Sequence, residues 1–414
     1  MVARFDMPFL GVLIGLVFVL TAAGGPEPSP QSAVPIRVIA TSSSVDFPDE
    51  VVLTLEAESD ARISEVRLYY RLGSRNVRVY GYPDFTPSTR VKADFRIKTG
   101  GSNYLPSGVD ITYSYTIRDE NGNAFETDSF TLEYKDPTFE WERIVRDELV
   151  VLYHDRPFDR VDEVAGDVAE RTAEVKSLLG LETSKPQKAV IFNGTREASR
   201  SFPVISDRAS QDGLYAGFAY GDYDLFVLVG LSRSGMVHEM THLLIDEAID
   251  STFAVLPSWL NEGLAMYFEP GSGRRDSTVL RAAQRDELLS LRSMGSVPGQ
   301  PSDVRLFYAQ AQSIVHYMME TYGRERMGTM LRAINEGNRV DQAIQVAYGI
   351  SIDDIELEWQ GQLGGTVSAT PAGDPGTLGT TAIIAGSAAI AVVAVIIRWL
   401  RRIMAGPVAE VDDP

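Results

Sequence analysis

His238-Glu239-Met240-Thr241-His242, then Pro257-Ser258-Trp259-Leu260-Asn261-Glu262-Gly263-Leu264-Ala265, is the part of this sequence that decides how the rest is read. Positions i and i+4 of a helix share a face, so both imidazoles can reach one point. Imidazole binds metals, and Glu239, one residue on, stands beside such an ion without ligating it. There a carboxylate can take a proton from a water attacking a carbonyl and pass it to the leaving amine. Catalytic zinc sites have three protein ligands and an open position, so two histidines need a third partner. Glu262 is the candidate. It lies on a second predicted helix, with Ser258 as its cap, and nineteen residues separate it from His242. That spacing lets the first helix end, a loop pass through residues 250–255, and the chain return antiparallel. His238, His242 and Glu262 are thus the candidate ligands of one Zn2+ per chain, and Glu239 is the candidate catalytic base. The plain alternative is a polar, solvent-facing helix surface.

Working outward, nearly everything after residue 232 reads as helix, with pieces at 236–249, 258–268 and 304–322. Upstream, LVVLYH (149–154), an amphipathic stretch at 161–179, AVIF (189–192) and LYAGFAYGDYDLFVLV (214–229) alternate strand and helix patterns. The strand at 218–229 directly precedes the first motif and is a candidate edge for pairing with an extended peptide. Before it, residues 36–134 hold short strand-like runs, among them VVLTLEAES, EVRLYYRL, VKADFRIKT and DITYSYTIRD, with a hairpin signal at Asp119-Glu120-Asn121-Gly122. About seven such runs predict an antiparallel sandwich of immunoglobulin or fibronectin type.

HEMTH followed by WLNEGLA resembles the gluzincin metallopeptidases, including the aminopeptidase N family and the peptidase MA-like domains of many bacterial proteins. The resemblance extends over about 148–363, and AIQVAYGISIDDIELEW (343–359) is similar to the ends of peptidase MA-like domains. It implies an α+β zincin-like fold in which the residues at His238, His242 and Glu262 bind zinc and the one at Glu239 is the general base. No stretch matches the Gly-Ala-Met-Glu-Asn by which aminopeptidase N relatives hold a substrate's free amine. Related enzymes also use a tyrosine from a later helix to stabilise the oxyanion, which makes Tyr308 a second candidate catalytic residue. Glu269, seven residues after Glu262 and on the same helical face, is the candidate to orient His238 from behind. His154 and His316 fit no ligand spacing and read as structural.

The composition is consistent with this. A chain of 414 residues, 44% hydrophobic and 23% charged, exceeds one ordinary domain. A net charge of −19 argues against a nucleic-acid partner. With no cysteine and four histidines, any metal must rest on imidazole and carboxylate. Residues 1–24 read as a signal peptide behind Arg4, 25–136 as the β-sandwich domain and 137–363 as the peptidase domain. Residues 364–379 read as a flexible linker, 380–397 as a single transmembrane helix and 398–414 as a cytoplasmic tail. Arg398, Arg401 and Arg402 follow the apolar run, so the positive-inside rule places the bulk of the chain outside the cell. The expected activity is zinc-dependent hydrolysis of a peptide or protein substrate at the outer membrane face, with fragment 137–363 active alone. The rival is an adhesion or signalling protein whose sandwich binds a partner and whose zincin part is a weak scaffold.

Overall fold

The computed structural model describes residues 35–363 apart from 76, 203–216 and 272–276. The readings of 1–24 as signal peptide and of 364–414 as linker, membrane helix and tail lie outside the described residues. No described helix is long and apolar enough to cross a membrane.

Residues up to 133 are β-rich: β1 (Ile36–Asp46), β2 (Glu50–Leu72), β3 (Val79–Gly81), β4 (Ser88–Lys98), β5 (Asp110–Asp119), β6 (Ala124–Glu126) and β7 (Phe130–Glu133). They form one seven-stranded antiparallel sheet rather than the two separate sheets of the predicted sandwich. The reason is β2. VVLTLEAES and EVRLYYRL read as two strands, but no Gly or Pro stands between them and the chain continues as one strand of 23 residues. Its first half pairs with β1 and β4 and its second half with β5 and β3, with a register shift between Glu58 and Ile63. At that bend Ser59 Oγ donates to the buried Asp119 carboxylate at 2.8 Å. A polar residue at the end of the first run therefore satisfies a corner inside a continuous strand.

A second sheet follows, in the order β11 (Gly217–Tyr220), β12 (Leu225–Val229), β10 (Gln187–Phe192), β9 (Leu149–Tyr153) and β8 (Glu142–Arg146). β10 runs parallel to β9 and β12, and the two outer strands are antiparallel to their neighbours. The run 218–229 is thus a hairpin in which only β11 is at the edge. The helices are α1 (Phe158–Leu179), α2 (Thr195–Ala198), α3 (Arg233–Ala248), α4 (Ser258–Phe268), α5 (Ser277–Arg285), α6 (Pro301–Tyr322), α7 (Arg324–Asn335), α8 (Val340–Tyr348) and α9 (Ile352–Gln362).

The three inner strands are buried on both faces, which is why they read as unbroken apolar runs. Alternation sorts their side chains. Val151, Ala189, Ile191, Phe226 and Leu228 join the core made with the helices. Leu152, Val190, Phe192, Leu225 and Val227 join the core of the first sheet. One sheet is therefore shared between two cores. Polar contacts reinforce the seam: Ser74 donates to Asp224, Arg75 pairs with Asp222 and lies 4.6 Å from the Tyr223 ring, and the Tyr104 and Tyr220 hydroxyls are 2.8 Å apart.

Lys188 is a buried charge in that seam. It is 8% exposed, and its Nζ donates to Gly108 O at 2.7 Å, Glu133 Oε1 at 2.7 Å and Asp110 Oδ1 at 3.0 Å. Lys188→Ala is expected to destabilise the protein by about 3–5 kcal/mol at neutral pH, because it strands a half-buried carboxylate and a buried carbonyl. Burial opposes ionisation of Glu133, but hydrogen bonds from Lys188 and Lys135 outweigh it and hold the carboxyl below its ordinary range. That contribution is present above the usual carboxylate pKa and is lost as pH falls through the lowered value. Urea melts at pH 7 and pH 3 should therefore show the gap between wild type and variant narrowing in acid. An equal gap at both would remove Glu133 from the account.

Candidate metal centre

Helix α3 starts at Ser232, whose Oγ accepts from the Gly235 N–H at 3.1 Å. One face, from Met236 and Val237 to Leu244 and Ile245, is buried, and this turns His238, Glu239 and His242 toward the opposite side. Helix α4 arrives by a different capping device from the expected one. Its N-cap is Pro257 and no side chain caps it; the Ser258 and Trp259 N–H groups donate instead to the carbonyls of Gly295 and Met294 at 3.1 and 3.2 Å. Backbone from a later loop thus does what the Ser258 hydroxyl was expected to do. Gly263 lets α4 lie against α6, since a Cβ there would stand 2.4 Å from Ala311 O. This close approach fixes the neighbouring Glu262.

Helices α3 and α4 bring three donors to one point. His238 Nε2 and His242 Nε2 are 3.2 Å apart, and Glu262 Oε2 lies 3.5 Å from the first and 3.7 Å from the second. Among the described residues this is the one group of three or more His, Cys, Asp or Glu able to hold a metal ion. Zinc bonds of ~2.0–2.1 Å in a tetrahedron set ligand atoms ~3.3–3.4 Å apart, so the spacing fits that ion. The other ring nitrogens are occupied. His238 Nδ1 is 2.8 Å from Glu269 Oε1, and His242 Nδ1 is 3.1 Å from Asn261 Oδ1. Both acceptors direct the Nδ1 proton outward and leave each Nε2 as a lone pair facing the centre. Glu269 Oε2 in turn accepts from Ser234 Oγ at 3.2 Å.

The charges agree with this arrangement. Burial favours the neutral form of His238, yet hydrogen bonds to Glu262 and Glu269 raise it to about 10. His242 is raised as well, against burial, by the charge of Glu262. Burial works against an ionised Glu262, but the two histidines hold it well below the carboxylate range. The pocket therefore attracts positive charge, supplied by protons or by an ion. Burial pushes Glu239 upward, and the histidines only partly offset it. A raised carboxyl suits a group that takes up and returns a proton.

Glu239 is placed from the other side by β11. A Cβ on Gly217 would lie 2.7 Å from Glu239 Oε1, so this edge strand can touch the carboxylate only because residue 217 has no side chain.

Of the residues singled out from sequence, His238, His242, Glu262, Glu239 and Glu269 come together. Tyr308 sits on α6, part-buried against the helical core with its ring 5.5 Å from that of Phe307. His154 stacks on Phe139 at 4.2 Å within an aromatic nest with Trp141 and Phe192. His316 packs 4.7 Å from the Tyr267 ring. Asn261, Ser234 and Gly217 escaped sequence reading. Asn261 had one signal, its place in WLNEGLA one residue before Glu262; the other two had none. Alanine in place of Glu269 or of Asn261 is expected to weaken zinc binding about 10–100-fold. A zinc competition titration against a chromophoric chelator measures it, and unchanged affinity in both variants would deny them an orienting role.

Residues 173–365 match the Peptidase MA superfamily. Among solved structures, a mutant M1 zinc metallopeptidase from Deinococcus radiodurans is 13% identical, covering 78% of this chain and 92% of that one, with a TM-score of 0.36. Wild-type OgpA from Akkermansia muciniphila is 13% identical over 24% of this chain and 28% of that one, with a TM-score of 0.19. A family 56 carbohydrate-binding module, a β-1,3-glucan-binding domain, is 22% identical over 22% of this chain and 95% of that one, with a TM-score of 0.16. Structural likenesses this slight carry no functional argument. No curated protein matches the chain. The helices that bear His238, His242 and Glu262 lie wholly within 173–365, so the candidate metal centre falls inside the segment that is similar to the Peptidase MA superfamily.

Proposed function

We propose that this protein is a zinc metallopeptidase that hydrolyses peptide bonds. The observation that carries the reading is the convergence of two Nε2 atoms and one carboxylate oxygen within 3.2–3.7 Å, each imidazole held from behind. Zinc, when bound by His238, His242 and Glu262, would polarise the scissile carbonyl and acidify a water. Glu239 accepts the proton of the attacking water and delivers it to the leaving nitrogen, as its raised carboxyl allows. Strand β11, at the sheet edge and against Glu239, offers main-chain pairing to an extended peptide. In this proposal residues 1–24 direct secretion, 380–397 anchor the chain in a membrane, and the site faces outward. The apolar run and its trailing arginines support that placement.

Metal analysis of purified residues 25–364, beside the same chain carrying His242→Ala, tests the reading. One zinc per chain, lost in the variant, is expected. A well-folded protein without zinc would overturn it.

A further inference from the structure

Next to the candidate centre is a cleft of about 240 Å³, lined by Arg171, Tyr267, Glu269, Gly271, His316 and Arg324 among others. Glu269 lines it and is also the residue that holds His238 at 2.8 Å. The cleft therefore begins one side chain away from the three-donor cluster. Successive residues of an extended chain advance ~3.3–3.6 Å, so a substrate residue close to the scissile bond can reach it.

Two guanidinium groups stand out in the lining. Arg171 on α1 and Arg324 at the start of α7 both reach Glu174, at 2.7 and 3.3 Å, so two guanidinium groups share a single carboxylate. Glu269 keeps its negative charge at the edge of the cleft but is engaged with the metal site, one oxygen facing His238 Nδ1 and the other accepting from Ser234 Oγ. Glu320 lies 3.8 Å from His316 Nδ1 but is 78% exposed, where water screens it. Arg324 is held over the Tyr267 and Phe268 rings at 5.8 and 5.5 Å, which positions its guanidinium at the cleft. His316 Nε2 is buried with no hydrogen-bond partner. Two guanidinium groups that share one carboxylate thus line a space the size of a side chain. Planar guanidinium forks match a carboxylate better than any other group on a peptide.

We infer that this cleft is a substrate subsite for a carboxylate, either an acidic side chain or the C-terminal carboxylate, close to the scissile bond, with Arg171 and Arg324 as anchors. The inference rests on the peptidase reading and names the kind of peptide that site would take.

The test uses the zinc-loaded full chain in detergent. Substrates are matched peptides carrying Glu or Gln at each position, each with a free or amidated C-terminus. Wild type is expected to favour a carboxylate at one fixed position by about tenfold or more in kcat/KM. Arg171→Gln and Arg324→Gln should abolish that preference while cleavage of the neutral peptide and zinc content stay unchanged. Whether Glu or the free terminus confers the preference identifies the source of the carboxylate. A preference that survives in both variants, or none in wild type, overturns the inference. Should Arg324→Gln fail to fold, Arg171→Gln, whose target side chain is 36% exposed, carries the test. If wild type cleaves nothing, the peptidase reading fails separately. Fluorescence-polarisation binding of the same peptides to the Glu239→Gln chain then decides about the cleft: discrimination of Glu from Gln that Arg171→Gln removes supports it, and equal binding rejects it.

Discussion

Replacing Glu239 by Gln is expected to lower kcat for peptide hydrolysis by about 10²–10⁴-fold, the usual share of a positioned general acid–base. Gln keeps the volume of the side chain and removes its proton affinity. The ligand set does not include Glu239, so His238, His242 and Glu262 should still bind one zinc per chain. KM should change little, because the lost interaction is made only as the proton moves. Steady-state kinetics beside metal analysis separates the possibilities. Retained turnover with zinc bound would remove Glu239 from the chemistry, and loss of zinc would show that the residue shapes the site.

Removing the first sheet is the second change with a large expected effect. Fragment 137–363 was expected from sequence to act alone, yet Leu152, Val190, Phe192, Leu225 and Val227, each at most 1% exposed, bury against residues that the fragment lacks. Five such side chains, at about 1.5–3 kcal/mol each, amount to at most about 8–15 kcal/mol. That is comparable with the whole stability of a typical domain, about 5–15 kcal/mol. Lys188 would lose all three of its acceptors as well. The fragment should be aggregated or lack fixed tertiary packing, as read by gel filtration and near-UV circular dichroism, while residues 25–364 give a sharp melt. A monomeric fragment with a cooperative melt and one zinc would show that the regions are independent.

The same seam bears on the site. The hairpin of β11 and β12 is held on one side by α3, where Gly217 faces Glu239, and on the other by Tyr104, Ser74 and Arg75 in the loops of the β-rich region. The β-rich region therefore braces the strand proposed to receive substrate.

The donor set could be read directly from the chain because its geometry is local. Four residues along a helix return to the same face, which brings His238 and His242 together, and seven residues carry Glu262 to Glu269 in the same way. Glu262 was offered by the next predicted helix, spaced so that the chain could return antiparallel. The inner strands were visible as apolar runs and the main helices by their period, to within a few residues at each end. Beyond such local patterns the chain is silent. VVLTLEAES and EVRLYYRL looked like two strands because the register shift that joins them is set by Asp119, sixty residues from Ser59. Ser258 looked like a cap because the carbonyls of Met294 and Gly295 that replace it come from another part of the fold. Asn261, Lys188 and the pairing of Arg171 with Arg324 have meaning only through partners distant in sequence. Periodicity along one segment determines which face a residue shows; what meets that face depends on how segments pack, and that was decided by the shared sheet and the crossing of α3, α4 and α6.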